Sequence, residues 1–297
     1  MAGIATKKSK VGFIALGDIG LPMVSNLVKN GFKPMVFDLR KEPVNAAVRM
    51  GAKAADSVKT MAQQCDFICI ALVGAPQMEQ VLEGPNGIFA NAKRGTAILS
   101  HATMPPENAK DFARRAKAKG LEWLDTPMSG ANIAAKAGTL TWLVGGTPVL
   151  LKRCQPILNA MGTNTFLLGE PGAGQVGKLV NGLMFHVGYV ATLEALKLAQ
   201  AYNVPEKLII DLAKVSTGNC WMVQNWGYMD RLVDSHPQGT DSFVQTHVRK
   251  DIADALIAAK SCKTAMPMTA VSYQIYPDLL IERAKLRAAG AKKKKKA

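Results

Sequence analysis

The pattern of apolar positions changes character near the middle of the chain. In the first half, short apolar runs alternate with amphipathic helical stretches, and the clearest runs are VGFIAL at 11–16 and DFICIAL at 66–72. The second run has almost no polar face, as expected for a parallel strand covered on both sides. This alternation predicts an α/β fold with a Rossmann-type, doubly wound parallel sheet.

The second half of the chain has the periodicity of helices alone. Helical stretches are predicted at 183–201, 206–215, 223–233, 246–260 and 268–289. A helix from Gln175 to Ala201 would be about 40 Å long, which is too long for one small domain. We therefore predict an all-α C-terminal domain joined to the sheet domain by a long helix.

A glycine-rich segment, GEPGAGQVGKLVNG at 169–182, separates the two patterns. A chain of 297 residues is long enough for two hydrophobic cores. We predict a dinucleotide-binding Rossmann domain over 1–170, an all-helical substrate and oligomerisation domain over 171–291, and a lysine-rich tail over 292–297.

The first strand leads through Gly17-Asp18-Ile19-Gly20 into a helical pattern. A glycine turn between a strand and a helix predicts a dinucleotide site, with the pyrophosphate over the helix start. The pattern G-x-G-x-x-G is incomplete because Ala15 replaces the first glycine, which alanine tolerates if its φ stays negative. Asp38 ends the next strand, where its spacing suits an acceptor for the adenosine ribose hydroxyls.

Ligands of doubly wound sheets lie beyond the carboxyl ends of the strands. We therefore expect cofactor contacts from Leu72, Val73 and Thr103, which follow two predicted strands. Ser129 and Gly130 follow another strand and offer a hydroxyl and unobstructed N–H groups to a carboxylate. By spacing alone, Ser129 is more typical of an ordinary turn.

Lys178 stands in the glycine-rich segment with Gly174 one turn before it and Gly182 one turn after it. Another molecule can approach such a lysine closely. The same pattern also fits a helix start whose lysine points into water, so the rest of the chain has to decide between the two.

These motifs, in this order, resemble the β-hydroxyacid dehydrogenase family, and within it the hydroxyisobutyrate branch. The resemblance covers residues from about Lys10 to about Ala289. It rests on the glycine turn with Leu21-Pro22-Met23, on the segments 125–130, 172–178 and 216–221, and on the pair Lys250-Asp251.

The resemblance implies a role for each matching residue. Lys178 would be the general acid/base, and Asp251 would orient groups near the cofactor. Lys250 would sit over the nicotinamide end and contact both ligands. The substrate would be held by Ser129, Gly130, Ala131, Asn181 and Lys250.

The activity implied is the NAD-dependent, reversible oxidation of a short 3-hydroxy acid to its semialdehyde. Asp38 implies NAD, while Arg40 nearby leaves NADP open. One alternative is an NAD(P)H-dependent reductase of tartronate, succinic or a related semialdehyde. Another is an inactive cofactor-binding protein that docks on nucleic acid through its lysine tail.

The sequence departs from the family at several positions. Gly182 stands where a second asparagine is usual, and His186 is either its substitute or a packed core residue. Ala102 replaces the serine of a Ser-Thr pair, beside His101, which is expected on the surface. Ala131 replaces a third glycine of the substrate motif. The identity of the hydroxy acid therefore stays open.

The formal net charge of +15 includes eight lysines near the two termini, which leaves +7 for the remainder. That balance suits a small anionic substrate, and nucleic acid is not an expected partner. No apolar run predicts a membrane helix. The five scattered cysteines predict no metal site, and we expect structural thiols.

The lead sequence before the first strand resembles neither a signal peptide nor a transit peptide. A cytoplasmic location is therefore expected, and a mitochondrial one stays open. The long helix and its apolar faces predict a homodimer or homotetramer built through the C-terminal domain.

Overall fold

The chain divides into two units in the computed structural model, which describes residues 3–236 and 239–294. The first unit ends at Lys178 and the second begins at Leu179. Helix α9 (Ala173–Ala201) contains this boundary and confirms the long helix predicted from the sequence. By length and composition alone, α9 is also long and apolar enough to cross a membrane.

The sheet of the first unit has the strands β1 (Val11–Ile14), β2 (Met35–Phe37), β3 (Lys53–Ala54), β4 (Phe67–Ile70), β5 (Ala97–Ser100), β6 (Glu122–Asp125), β7 (Met128–Ser129), β8 (Leu140–Gly145) and β9 (Gly162–Gly169). Strands β3-β2-β1-β4-β5-β6 pair in parallel in that order, which confirms the doubly wound sheet. Strand β8 runs antiparallel to β6 and β7, and parallel to β9.

Side chains of the central strands alternate between two hydrophobic clusters. In β4, Phe67 and Cys69 belong to one cluster, whereas Ile68 and Ile70 belong to the other. Successive side chains of a strand point to opposite faces, so both faces of this strand are covered. The nearly uniform apolar run at 66–72 has this physical cause.

The helices of the first unit before α9 are α1 (Gly20–Lys29), α2 (Lys41–Met50), α3 (Val58–Gln64), α4 (Ala75–Leu82), α5 (Ile88–Asn91), α6 (Pro106–Ala118), α7 (Ala131–Ala137) and α8 (Pro148–Asn159). The hydrophobic pattern did not predict α7, α8 or β9. Strand β9 is exposed over most of its length, so it lacks the apolar run that marks the central strands.

The described part of the second unit is helical, as predicted. After α9 it contains α10 (Glu206–Lys214), α11 (Trp221–Gln224), α12 (Tyr228–Ser235), α13 (Gly239–Phe243), a π-helical turn (Val244–Arg249), α14 (Lys250–Ser261) and α15 (Pro267–Lys294). The single helix predicted at 223–233 is wrong, because Gly227 has a φ of +85° and separates α11 from α12.

The C-terminal lysines begin within a helix. Helix α15 continues to Lys294, inside the segment expected to be a tail, and Lys295 and Lys296 lie outside the described residues.

Candidate active site

The glycine turn after β1 is tighter than predicted. Ala15 has a φ of +73°, so the expectation of a negative φ is wrong. Its N–H donates to Phe37 O at 3.0 Å, and a Cβ on Gly20 would lie 2.0 Å from Ala15 O. The turn is thus held on both sides, and only glycine at position 20 lets α1 begin against the end of β1.

Gly17 and the start of α1 offer backbone to a ligand. A Cβ on Gly17 would meet no atom within 4 Å, so this face of the turn is open. Ile19 occupies the N-cap position of α1 and has no side-chain oxygen with which to satisfy the first N–H groups. Asp18 beside it is exposed. An open turn before an uncapped helix start fits a pyrophosphate.

The carboxylate of Asp38 lies at the end of β2 and is held by its neighbours. Asp38 Oδ2 accepts from Leu16 N at 2.7 Å, and Oδ1 accepts from Arg40 N at 2.9 Å and from Arg40 Nε at 3.1 Å. Burial alone would raise the pKa of Asp38, but the hydrogen bonds from Arg40 and Leu16 hold it below its usual value. The ionised carboxylate suits a ribose hydroxyl.

The segments after β4 and β5 lie at the same carboxyl edge of the sheet. Leu72 and Thr103 are half-buried there, and Val73 is exposed. Leu72 and Val73 follow β4, which pairs with β1, and Thr103 follows β5, which pairs with β4.

His101 is buried, so its expected surface position is wrong. Its ring lies 6.1 Å from that of Phe13 and 5.1 Å from that of Trp142, between centroids. Its Nδ1 lies 2.9 Å from Thr126 Oγ1. Burial lowers the pKa of His101 to about 4, so the ring is neutral at physiological pH.

The predicted substrate segment begins as a short strand. Ser129 pairs with Thr141 in β8, and Gly130 and Ala131 follow with φ of +118° and +51°. A Cβ on Gly130 would lie 2.3 Å from Ala134 Cβ. Gly130 is therefore required by the backbone, whereas Ala131 places an L-residue in the left-handed region.

Lys178 is half-buried in α9, at the end of the first unit. The start of its helix is attached to the carboxyl edge of the sheet by two residues that sequence analysis missed, Asp125 and Gln175. Asp125 Oδ1 accepts from Gly172 N at 3.0 Å, and Gln175 Nε2 donates to Ala102 O at 2.9 Å. The signals in the sequence were an acid at a strand end and a glutamine among glycines.

Asp125 has no exposed surface. Burial raises its pKa to about 6, against the opposing effect of backbone N–H donors that include those of Gly172 and Gln175. Its carboxyl group therefore titrates closer to neutrality than an exposed aspartate.

Lys250 lies in the second unit, directly after the π-helical turn. Its Nζ lies 3.0 Å from Asp254 Oδ2 and 3.5 Å from Asp251 Oδ1, and all three side chains are at least three-quarters buried. π-Helical turns are frequent at functional sites. Asp254 is a neighbour of Lys250 that sequence analysis did not single out.

Asn181, Gly182 and His186 also lie in the second unit. Asn181 is exposed, and a Cβ on Gly182 would have His186 Cδ2 as its nearest neighbour, at 3.9 Å. His186 is buried, with its ring centroid 5.5 Å from that of Tyr276. The helix therefore has room for a side chain at position 182.

Cys65, Cys69 and Cys154 are buried, and burial raises the pKa of the Cys65 thiol to about 11. Within the described ranges, no group of three or more His, Cys, Asp or Glu side chains could hold a metal ion.

The first unit brings together the glycine turn, Asp38, the segment around Thr103 and the start of the Lys178 helix at one edge of a doubly wound sheet. This arrangement defines a dinucleotide-binding protein of the Rossmann class. Comparisons with known proteins agree. Residues 10–169 match the NAD binding domain of 6-phosphogluconate dehydrogenase, and residues 172–290 match the NAD-binding domain of NADP-dependent 3-hydroxyisobutyrate dehydrogenase.

Individual relatives extend over both domains. An NAD-dependent L-serine dehydrogenase from Pseudomonas aeruginosa is 32% identical, covering 91% of this chain and 92% of its own. The mitochondrial 3-hydroxyisobutyrate dehydrogenase of Rattus norvegicus is 30% identical, and the match covers 91% of this chain and 81% of that protein. A solved 3-hydroxyisobutyrate dehydrogenase from Mycobacterium tuberculosis has a TM-score of 0.80 at 24% identity, and the match covers 93% of this chain and 95% of that one.

The chain belongs to the β-hydroxyacid dehydrogenase family, whose members include 3-hydroxyisobutyrate dehydrogenases. It is an oxidoreductase, and its relatives support NAD as the cofactor, although NADP also occurs among them.

Proposed function

We propose that this protein reversibly oxidises the primary alcohol of a short 3-hydroxy acid to the semialdehyde, with Lys178 as general acid/base. One observation carries the proposal. The helix start that bears Lys178 is bonded to the ends of β5 and β6, at the sheet edge where the glycine turn also lies. This arrangement supports a cofactor and a catalytic lysine at the same edge of the sheet.

The names of two relatives support the substrate class. 3-Hydroxyisobutyrate and L-serine share the skeleton HOCH₂–CHX–COO⁻ and differ at carbon 2, which carries a methyl group in one and an ammonium group in the other. We propose this skeleton as the substrate of the present chain. The carboxylate would be held by Ser129 and Gly130, which follow β6.

Lys178 and the cofactor together account for the proton and the hydride that the alcohol loses. Bound NAD⁺ would supply the acceptor for the hydride of the carbon that bears the hydroxyl group. The neutral amine of Lys178 takes the hydroxyl proton as the carbonyl forms, and in the reverse direction its ammonium returns that proton. Ser129 and Gly130 keep the alcohol carbon in register by holding the other end of the molecule.

Lys250 is proposed to contact the bound ligands, as the family resemblance implies. In the second unit its ammonium is held by Asp254 and Asp251, so it is a positioned charge. Such a charge suits an anionic group of the substrate or cofactor.

The test compares Lys178→Ala with Lys59→Ala, an exposed lysine of α3. Each enzyme is assayed with 3-hydroxyisobutyrate and L-serine, with NAD⁺ and NADP⁺, and with tartronate and succinic semialdehydes in the reductive direction. Loss of a general acid/base should lower kcat about 10²- to 10⁴-fold. NAD⁺ affinity and melting temperature should stay as in the wild type.

Full turnover by Lys178→Ala on the preferred acid would contradict the proposed mechanism. Preferred turnover of tartronate or succinic semialdehyde would keep the mechanism and change the substrate.

A further inference from the structure

The first turn of α9 lacks the local features that usually stabilise a helix start. It contains Gly174, Gly177 follows directly after it, and glycine weakens a helix. The residues before it, GEPG at 169–172, include no Ser, Thr, Asp or Asn that could act as an N-cap. Gly172 has a φ of +97°. Locally, Ala173 N donates to Glu170 O at 3.0 Å, and the further support for this turn comes from another part of the chain.

Asp125 provides the missing cap from the end of β6. Its Oδ1 accepts from Gly172 N at 3.0 Å and its Oδ2 accepts from Gln175 N at 3.3 Å. In a helix that begins at Ala173, Gln175 is the third residue, and an N-cap side chain ordinarily satisfies the N–H at this position. Asp125, which lies 47 positions before Gly172 in the sequence, thus takes the role of a local N-cap residue.

Two glycines make room for this carboxylate. A Cβ on Gly145 would lie 2.4 Å from Asp125 Oδ2, and a Cβ on Gly174 would lie 2.6 Å from it. Asp125 is also fully buried, so a side chain at position 145 or 174 would displace its carboxylate. The glycine in the first turn, which weakens the helix locally, is therefore needed for the cap.

Gln175 makes a second attachment, to the segment after β5. Its Nε2 donates to Ala102 O at 2.9 Å, and its Oε1 accepts from Met104 N at 3.0 Å. These two bonds hold the backbone on either side of Thr103. Lys178 is three residues further along, on the same helix face as Gln175.

We propose that Asp125 and Gln175 are positioning residues that hold Lys178 at the sheet edge for proton transfer. The inference rests on the proposed role of Lys178. The bonds that Asp125 accepts fix where the helix begins, and the side-chain bonds of Gln175 fix the rotation of the helix about its axis. A misplacement of about 1 Å at a reacting group can cost about 100-fold in rate.

The experiment uses Gln175→Met, which removes both side-chain bonds at similar length, and Asp125→Asn, which keeps one acceptor oxygen. The matched control is Gln155→Met in α8, because Gln155 also makes two side-chain bonds in the first unit, to Asn159 and Thr165. For each protein, kcat is measured with the better of 3-hydroxyisobutyrate and L-serine, NAD⁺ affinity by fluorescence titration, and folding by circular dichroism.

We expect kcat to fall about 10- to 100-fold in Gln175→Met and Asp125→Asn, with the NAD⁺ dissociation constant within about threefold of wild type. Gln155→Met should keep the wild-type kcat. If Gln175→Met is unfolded, Gln175→Glu, which keeps the acceptor for Met104 N, takes its place.

Lys178→Ala in the same series separates the two proposals. If it keeps full turnover, the proposed function fails. If it is inactive while folded Gln175→Met and Asp125→Asn keep the wild-type kcat, the positioning inference is overturned and the proposed function stands. An equal loss of kcat in Gln155→Met would also overturn the inference, because the effect would then be general destabilisation.

Discussion

Ala15 carries backbone strain that a single substitution should relieve. Its φ of +73° lies in the left-handed region, which costs an L-residue about 1–2 kcal/mol. The turn cannot relax, because Ala15 N is bonded to Phe37 O and Ala15 O lies against Gly20. Replacing Ala15 by glycine removes the strain without removing a hydrogen bond.

The expected gain is the strain less an entropic cost. Glycine makes the unfolded chain more flexible, which costs about 0.4–1 kcal/mol. The net stabilisation is then about 0.5–1 kcal/mol, equivalent to a rise in Tm of about 1–4 °C for a unit of this size. Ala131, with a φ of +51°, should respond in the same way.

The assay is chemical and thermal unfolding of the full chain, followed by circular dichroism. Ala46→Gly is the control, because Ala46 lies inside helix α2 and the same change there should destabilise by about 1 kcal/mol. Opposite signs at positions 15 and 46 are the predicted result. A loss of stability in Ala15→Gly as large as that in Ala46→Gly would refute the strain argument.

Three further predictions concern the cofactor, the substrate and pH. Asp38→Ala should shift the ratio of kcat/KM for NAD⁺ over that for NADP⁺ by about 10- to 100-fold in favour of NADP⁺. The reason is that Arg40 loses its carboxylate partner and can bind a 2′-phosphate. An unchanged ratio would contradict this role of Asp38. Gly182→Asn should fold normally, because the space beside position 182 is open. It should change the ratio of kcat/KM for 3-hydroxyisobutyrate over that for L-serine by about tenfold. An unchanged ratio would exclude position 182 from substrate selection. For His101, the unfolded chain binds a proton near pH 6.5 and the folded chain only near pH 4, so stability is lost as pH falls through this window. Between pH 6.5 and pH 4, the free energy of unfolding of the wild type should therefore fall by about 3 kcal/mol more than that of His101→Gln. Parallel pH profiles of the two unfolding free energies would show that the prediction is wrong. Asp125 has the opposite effect on stability, because its raised pKa makes its protonation stabilising below about pH 6. The wild type is therefore compared with His101→Gln, in which the contribution of Asp125 is the same.

Local patterns in the sequence predicted most of the architecture. Alternating apolar runs and helical periodicity marked the parallel strands and the long helix, because burial on a sheet or helix face imposes a fixed spacing on neighbouring residues. The glycine turn and Asp38 were recognisable for the same reason, since their spacing follows from one strand-turn-helix unit. Lys178 was singled out by its glycine neighbours and by family resemblance.

Tertiary structure decided the features that depend on distant residues. The positive φ of Ala15 follows from contacts with Phe37 and Gly20, and the burial of His101 follows from rings on two other strands. No spacing rule connects Asp125 to a helix that begins 48 residues later, yet its carboxylate caps that helix. The sequence by itself determined the central parallel strands, the long helix and which lysine is the candidate base. Only the fold decided what holds that lysine in place, because its supports are brought together by the pairing of strands.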